Sequence, residues 1–591
     1  MTSAIGDYAL IGDGRTSALV ASTGSVDFLC WPNFDSDACF AALLGDDTNG
    51  HWRIAPDAVV TAITRRYRGD TTILETDFTC DRAAVRIIDF MPWHDGPSTL
   101  VRIVEGLEGE VPVSLSLRLR FGYGQIAPWL RADETGFCAE IGPDRVKFDS
   151  AAELRLGDGE AAAKFTVGKG DRFVFILTYS PSDQAVSRSV DPDAALATTE
   201  REWRDWADRF DRPCHWPIAV KRSLVTLRAL VDRRTGGMIA AASMGLPEIP
   251  GGGANWDYRY CWLRDSTFTL SALLNAGFHD EARRWRDWIL RAIGGDCATM
   301  QIVYRIDGSR RLPEWEVEAL SGYQGARPVR VGNAASGQTQ LDVFGELMDS
   351  FDVAAKAGID RTARVIEVET AIVRHLETAW DQPGADIWES RGTPRCYTYS
   401  QVMAWVGIDR FLKAHGDSPD VDRSLIARLE TLHTQIHATV CERGYSIERG
   451  HFVQHYGSTT LDASLLLLPL VNFLPATDPR IVSTIAAIER DLVDGGLVRR
   501  KMAGSDEPAE GAFLACSCWL ADCYKLQGRD DEAAAMLERV ISLANDVGLL
   551  SEEYHVPTRQ LIGNIPQALT HIGLINTALF LSGPVITRGG A

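Results

Sequence analysis

The chain has 591 residues, more than one hydrophobic core usually serves, so its length predicts two domains. Its 45% hydrophobic and 24% charged residues are those of a folded globular protein rather than a disordered or membrane-embedded one. Sixty Lys and Arg against eighty Asp and Glu leave a net charge of -20, a field that repels phosphate backbones and argues against nucleic acid as a partner.

The opening Met1-Thr2-Ser3-Ala4-Ile5-Gly6-Asp7 carries neither the basic nor the apolar stretch of a secretory signal. The densest apolar run, Leu465-Leu466-Leu467-Leu468-Pro469-Leu470-Val471, is far shorter than a membrane span, so no membrane partner is expected. The twelve cysteines are scattered and read as reduced core thiols. A cytoplasmic protein is expected, and a homo-oligomer stays open.

Residues 1–190 read as an antiparallel β-sandwich. The runs at 17–21, 25–30, 72–78, 84–90 and 113–119 alternate apolar and polar residues with period two, and Gly, Asp and Pro clusters separate them. The period changes at Asp191-Pro192. About 193–210 forms an amphipathic helix with Trp203 and Trp206, within a linker that spans 191–215. Residues 216–591 read as a helical domain. Twelve helices with a 3.6-residue period fall near 217–233, 266–276, 279–293, 338–357, 360–380, 398–414, 421–441, 460–469, 478–491, 510–525, 530–547 and 567–581.

Connections from odd to even helices are long, roughly 17 to 44 residues, whereas those from even to odd are roughly 2 to 8. Helices that alternate up and down then carry all the long loops at one end. The fold class expected is therefore multidomain β + α, with an N-terminal antiparallel β-sandwich followed by a six-fold α/α barrel whose elaborated rim holds the site. A solenoid would also alternate, but the chain shows no repeat of fixed period.

Four of the long loops mix aromatic residues with Arg, Asp and Glu. They are Asn255-Trp256-Asp257-Tyr258-Arg259-Tyr260-Cys261-Trp262-Leu263-Arg264-Asp265, the segment 312–333 with Arg330, Asp386-Ile387-Trp388-Glu389-Ser390-Arg391-Gly392, and Gly548-Leu549-Leu550-Ser551-Glu552-Glu553-Tyr554. Flat rings for an apolar face, with forked donors and carboxylates for hydroxyls, suit a small neutral sugar. Cleaving a glycosidic bond needs an acid for the leaving oxygen and a second carboxylate as base or nucleophile. Glu389, next to Trp388, suits an acid kept protonated by an apolar neighbour. Glu552 and Glu553 are adjacent and cannot share one role. His433 and His437 lie four apart on one helix face, but the intervening residues supply no base, and no metal site is expected.

At these residues the chain resembles glycoside hydrolase family 15, the glucoamylase, glucodextranase and trehalase family. The resemblance runs from Tyr8-Ala9-Leu10-Ile11-Gly12-Asp13 to His571-Ile572-Gly573-Leu574-Ile575-Asn576. It implies an inverting, exo-acting hydrolase that releases β-glucose from the non-reducing end of a small α-glucoside. It implies Glu389 as general acid and Glu552 as general base. Arg264 and Asp265 match the pair that grips the terminal glucose, and Tyr258 and Trp262 match aromatics lining that subsite. Arg330 falls in a segment resembling a substrate-binding stretch, and Trp388 and Glu553 are grouped with the substrate-binding residues. No cofactor is required, although the resemblance brings the phosphate and magnesium dependence of some trehalases, for which the chain has no ligand motif. The turn His555-Val556-Pro557-Thr558-Arg559 departs from the usual Asp-Pro-x-Thr-Gly. Segment 322–333 resembles the trehalase branch, so trehalose is the favoured substrate. Malto- and isomalto-oligosaccharides, a phosphorylase and a non-catalytic carbohydrate-binding protein are the alternatives.

Overall fold

A computed structural model describes residues 3–157, 159–185, 189–419, 421–502 and 510–586. Two eight-stranded antiparallel sheets come first. One runs in spatial order Tyr8–Gly12, Ser17–Ala21, Ser25–Cys30, His51–Pro56, Glu110–Arg118, Glu160–Gly168 and Arg155–Gly157, with Ala38–Phe40 paired to Ser25–Cys30. The other runs Trp129–Ala132, Gly136–Ile141, Asp144–Ser150, Arg172–Pro181, Thr99–Glu108, Ala83–Phe90, Leu74–Cys80 and Val60–Tyr67.

Aromatic rings interdigitate between the sheets. Trp52 meets Phe148 edge-on at 5.4 Å and Phe165 meets Phe175 at 5.5 Å. In Glu110–Arg118 every second residue is buried, the period that a sheet with one covered face requires. Tyr8–Gly12 and Ser17–Ala21 are buried throughout instead. Helix Pro217–Ala229 packs against Tyr8–Gly12, so that part of the sheet is covered on both sides. A buried Arg102 ties the sheets together, pairing with Asp89 at 2.7 Å and donating to the carbonyls of Trp52 and Gly24. Gly24 has φ +80° and a Cβ there would lie 2.3 Å from the Ile54 carbonyl oxygen, so the turn needs glycine.

From Pro192 on, the described residues hold thirteen α-helices. They are α1 Pro192–Ala207, α2 Pro217–Ala229, α3 Leu263–Asn275, α4 His279–Ala292, α5 Asp342–Lys356, α6 Ala363–Ala379, α7 Thr398–His415, α8 Arg423–Arg443, α9 Leu467–Leu470, α10 Pro479–Asp491, α11 Leu514–Leu526, α12 Asp530–Ile541 and α13 Ala568–Ser582. Asp191 caps α1, accepting from the amides of Asp193 and Ala194, and Pro192 sits at its first position. The Arg228 guanidinium lies 4.8 Å from the rings of both Trp203 and Trp206, gluing α1 to α2.

Helices α3, α5, α7, α9, α11 and α13 pack each on the next, and α13 packs back on α3. The ring closes, which a solenoid does not do. Inner helices are buried nearly all round: α5 is buried at every position from Asp342 to Ala354. The outer α4 instead buries one stripe containing Ala282, Trp285 and Ile289. Each inner helix is entered from a long loop, so six helix N-termini and their connections share one rim.

One expected helix is cut short. Residues 460–469 become a 3-10 turn, Ala463–Leu466, followed by the single turn of α9. Pro469 removes an amide from the run, and Asn472 turns left-handed at φ +59°. The start expected near 510 moves to Leu514, because Ala512–Phe513 pairs as a strand with Glu553–His555. His433 and His437 pack on aromatic rings, His433 on Trp405 at 4.8 Å and His437 on Phe473 at 4.8 Å.

Candidate active site

The rim encloses a cavity of about 330 Å³. Its inner end is built by the start of α3. Trp262 precedes the helix and meets Tyr258 edge-on at 5.4 Å. Arg264 and Asp265 stand in the first turn and both face the cavity. Arg264 donates to the Ile387 carbonyl at 2.6 Å and to Glu389 Oε1 at 3.0 Å. Burial works against its charge, but Glu389 and then Asp265 more than offset this and keep the guanidinium ionised. Asp265 is buried and its Oδ1 accepts no hydrogen bond from the protein. Burial pushes its carboxyl up to about 6. A hydroxyl donor in the cavity would satisfy that oxygen.

Glu389 enters from the loop before α7. Its backbone is left-handed, φ +61°, at a residue with a full side chain. This conformation costs about 1–2 kcal/mol outside glycine and is held by what surrounds it. The Glu389 amide donates to the Asp386 carbonyl at 3.0 Å. The Ser390 amide and hydroxyl both reach the Asp386 carboxylate at 2.7 Å, and Gln338 donates to the Glu389 carbonyl at 3.0 Å. Trp388 lines the same cavity as Glu389. Its indole N–H turns to Asp462 at 2.9 Å, and its ring forms a wall with Phe513 and Trp519 at 5.5 and 6.0 Å. The charged group beside the Glu389 carboxylate is Arg264.

Glu552 enters from the loop before α13, three hairpins around the six-membered ring from Glu389. The two carboxylates therefore face one cavity from opposite sides of the rim. Glu552 Oε1 accepts from the Tyr258 hydroxyl at 2.8 Å, while the buried Oε2 has no protein partner. Gly563, φ +73°, makes room for it: a Cβ there would sit 2.8 Å from Oε2. Burial pushes the Glu552 carboxyl well above its ordinary range, and the charge of Glu248 adds to this. Arg500 and the Tyr258 hydroxyl oppose it. A buried, raised carboxylate that lines the cavity and keeps one oxygen without a protein partner is placed to take a proton from water.

The profile described as Glycosyl hydrolases family 15 matches residues 218–579, and one described as Trehalase-like, N-terminal matches residues 1–150. The chain belongs to glycosyl hydrolase family 15. It is 34% identical to a trehalase of Mycolicibacterium smegmatis over 97% of this chain and 91% of that protein. It is 31% identical to a trehalase of Thermoplasma volcanium, over 98% of this chain and 94% of that one. A bacterial glucoamylase complexed with acarbose shares the fold, with a TM-score of 0.76 at 13% identity over 99% of this chain and 95% of that chain.

Within this family 15 site, Tyr258, Trp262, Arg264, Asp265, Trp388, Glu389 and Glu552 all line the cavity. Arg330 and Glu553 do not. Arg330 lies behind Trp256, its guanidinium 4.6 Å from the ring centroid and donating to the Gly253 carbonyl at 2.7 Å. Glu553 opens the strand Glu553–His555 just after the bend at Glu552, and its side chain turns away from the cavity. There it accepts from the Gly511 amide at 3.0 Å and faces Arg500 at 3.3 Å. In the turn after it Arg559 adopts a left-handed φ of +57°.

Residues that the sequence did not single out complete the site. Glu248, between Pro247 and Pro250, is buried at the cavity and paired with Arg500. Arg500, in a basic run, also pairs with Glu510 and lies over Phe513 at 5.2 Å. Glu248, Glu510 and Glu553 are the one carboxylate cluster among the described residues close enough to hold an ion. The Arg500 guanidinium already pairs with all three, so the cluster does not fit magnesium.

The open Asp265 oxygen has a measurable consequence. Asp265→Ala should lower kcat/KM by about 10²-fold or more, because it removes a hydrogen bond to the bound sugar that strengthens in the transition state. A folded variant with near-normal kcat/KM would remove Asp265 from the subsite.

Proposed function

We propose that this family 15 chain is an inverting, exo-acting α-glucoside hydrolase with trehalose as its substrate. The observation that carries the reading is the placing of Glu389 and Glu552 on opposite sides of one enclosed cavity. An acid on one side of the anomeric carbon and a base holding water on the other is the arrangement of single displacement. Arg264 and Asp265 at the buried end bind the non-reducing glucose, which makes cleavage exo. Glu389 protonates the leaving oxygen and Glu552 takes the proton from water. Proton transfer between two carboxylates, water and sugar needs no cofactor. The similarity to proteins named trehalases supports trehalose over longer glucosides as the substrate. The twelve free thiols fit a reducing, cytoplasmic setting.

Two measurements test this. Glucose release from trehalose, kojibiose, nigerose, maltose, isomaltose and maltotetraose should be fastest by far from trehalose, and a faster alternative would replace it. Proton NMR in the first minutes of trehalose hydrolysis should show α- and β-glucose in equal amounts. Attack by water inverts one anomeric centre, while the leaving glucose keeps its α configuration. Initial α-glucose alone would mean retention and would remove Glu552 as the base.

A further inference from the structure

The mouth of the cavity holds a cluster that the catalytic reading does not use. Arg391 follows Glu389 by two residues, beyond the left-handed turn at Glu389, and lines the same cavity. Its guanidinium stands 4.2 Å from the ring centroid of Trp256, a partly buried cavity residue. Both terminal nitrogens of Arg391 bind the Glu314 carboxylate, one at 2.8 Å. Glu314 is fixed in turn: it accepts from the Ala334 amide at 3.0 Å and lies 3.7 Å from Arg330, which stacks on the same indole. Burial opposes its charge, but Arg391 and the Ala334 amide hold its carboxyl below the usual range.

Exposure gives the cavity a direction. The Arg264 side chain, beside the acid at the inner end, is 13% exposed, while that of Arg391 is 43% exposed. A glucose gripped by Arg264 and Asp265 points its anomeric carbon outward. The general acid meets the leaving oxygen there, and the next groups toward solvent meet the sugar attached to that oxygen. We propose that Arg391 and Trp256, with Glu314 anchoring the guanidinium, form the subsite for the leaving sugar and select a short neutral aglycone. This rests on the hydrolase reading above. A planar guanidinium can donate to vicinal hydroxyls, and the Trp256 indole on which it lies holds its plane at the cavity. Because Glu314 balances Arg391, the cluster does not call for an anionic aglycone.

The test compares two substrates that share the glucosyl group but not the aglycone: trehalose, and α-D-glucosyl fluoride, whose leaving group is too small to reach the mouth. Arg391→Ala and Trp256→Ala should each lower kcat/KM for trehalose roughly tenfold or more beyond any loss on the fluoride, since a group built to bind hydroxyls is lost. Arg391→Lys, which keeps the charge without the fork, should fall in between. Equal losses on both substrates would overturn the subsite and leave these residues as supports for Glu389. If the disaccharide screen finds a better glucoside than trehalose, the same ratio measured with it decides the subsite while the substrate assignment fails separately. A wild-type protein that hydrolyses neither the fluoride nor any glucoside would sink both.

Discussion

Glu552→Gln should lower kcat about 10²- to 10⁴-fold on every substrate, trehalose and α-glucosyl fluoride alike, because activating water does not depend on the leaving group. The amide keeps the shape and can still accept from Tyr258, so substrate affinity should hold. The pH profile reports the same group. Glu552 must be ionised to act, and burial raises its pKa. The acid limb of kcat/KM should therefore lie above the ordinary Glu value of about 4.3. Tyr258→Phe removes a hydrogen bond that favours the carboxylate, so it should move that limb to still higher pH. Stability follows with its own sign. A raised folded pKa means that the folded state holds the proton more tightly than the unfolded chain. The group's stabilising contribution is full below the ordinary carboxylate range and is lost as pH rises through the folded value. The Gln variant escapes that loss, so its Tm relative to wild type should improve as pH rises above the ordinary carboxylate range. A kcat loss confined to poor leaving groups would instead make Glu552 an acid.

The architecture was largely legible because it rests on local periods and on loop lengths. The buried alternation in Glu110–Arg118 and the long loops before α3, α5, α7, α11 and α13 are written in neighbouring residues. The segment before α9 was harder, since a dense Leu run reads as helix until Pro469 interrupts it. The site was legible where a rim loop concentrates aromatics and carboxylates, as at Trp262, Arg264 and Asp265. It was not legible where ring closure decides who meets whom. Tyr258 and Glu552 bond across 294 positions, and Trp388 turns to Asp462 across 74. No local pattern reports the left-handed turn that carries Glu389 to Arg264. Arg330 and Arg391 are equally plausible cations on paper. Only the packing around Trp256 puts Arg391 at the cavity and Arg330 behind the ring. Glu553 lost its expected place because its carboxylate is taken up by the Gly511 amide and Arg500.

Glu389→Gln should separate the substrates that Glu552→Gln treats alike. Breaking trehalose expels a sugar oxygen, a poor leaving group unless a proton arrives as the bond breaks. Loss of the acid should therefore cost about 10²- to 10⁴-fold in kcat on trehalose. Fluoride leaves with far less assistance, so α-glucosyl fluoride should lose much less. Binding should survive, because Arg264 can still donate to the amide oxygen that replaces Oε1 and the Asp386 and Gln338 contacts use backbone atoms and Ser390. The left-handed turn is held by those same contacts, so the variant should keep its fold, with a lower Tm because Arg264 loses its main counter-charge. Glucose inhibition, measured as Ki in both proteins, checks that the inner subsite is intact. If the losses on trehalose and the fluoride are equal, protonation of the leaving oxygen is not what Glu389 supplies. Its pairing with Arg264 would then be the reason it sits there, positioning the guanidinium that grips the glucose.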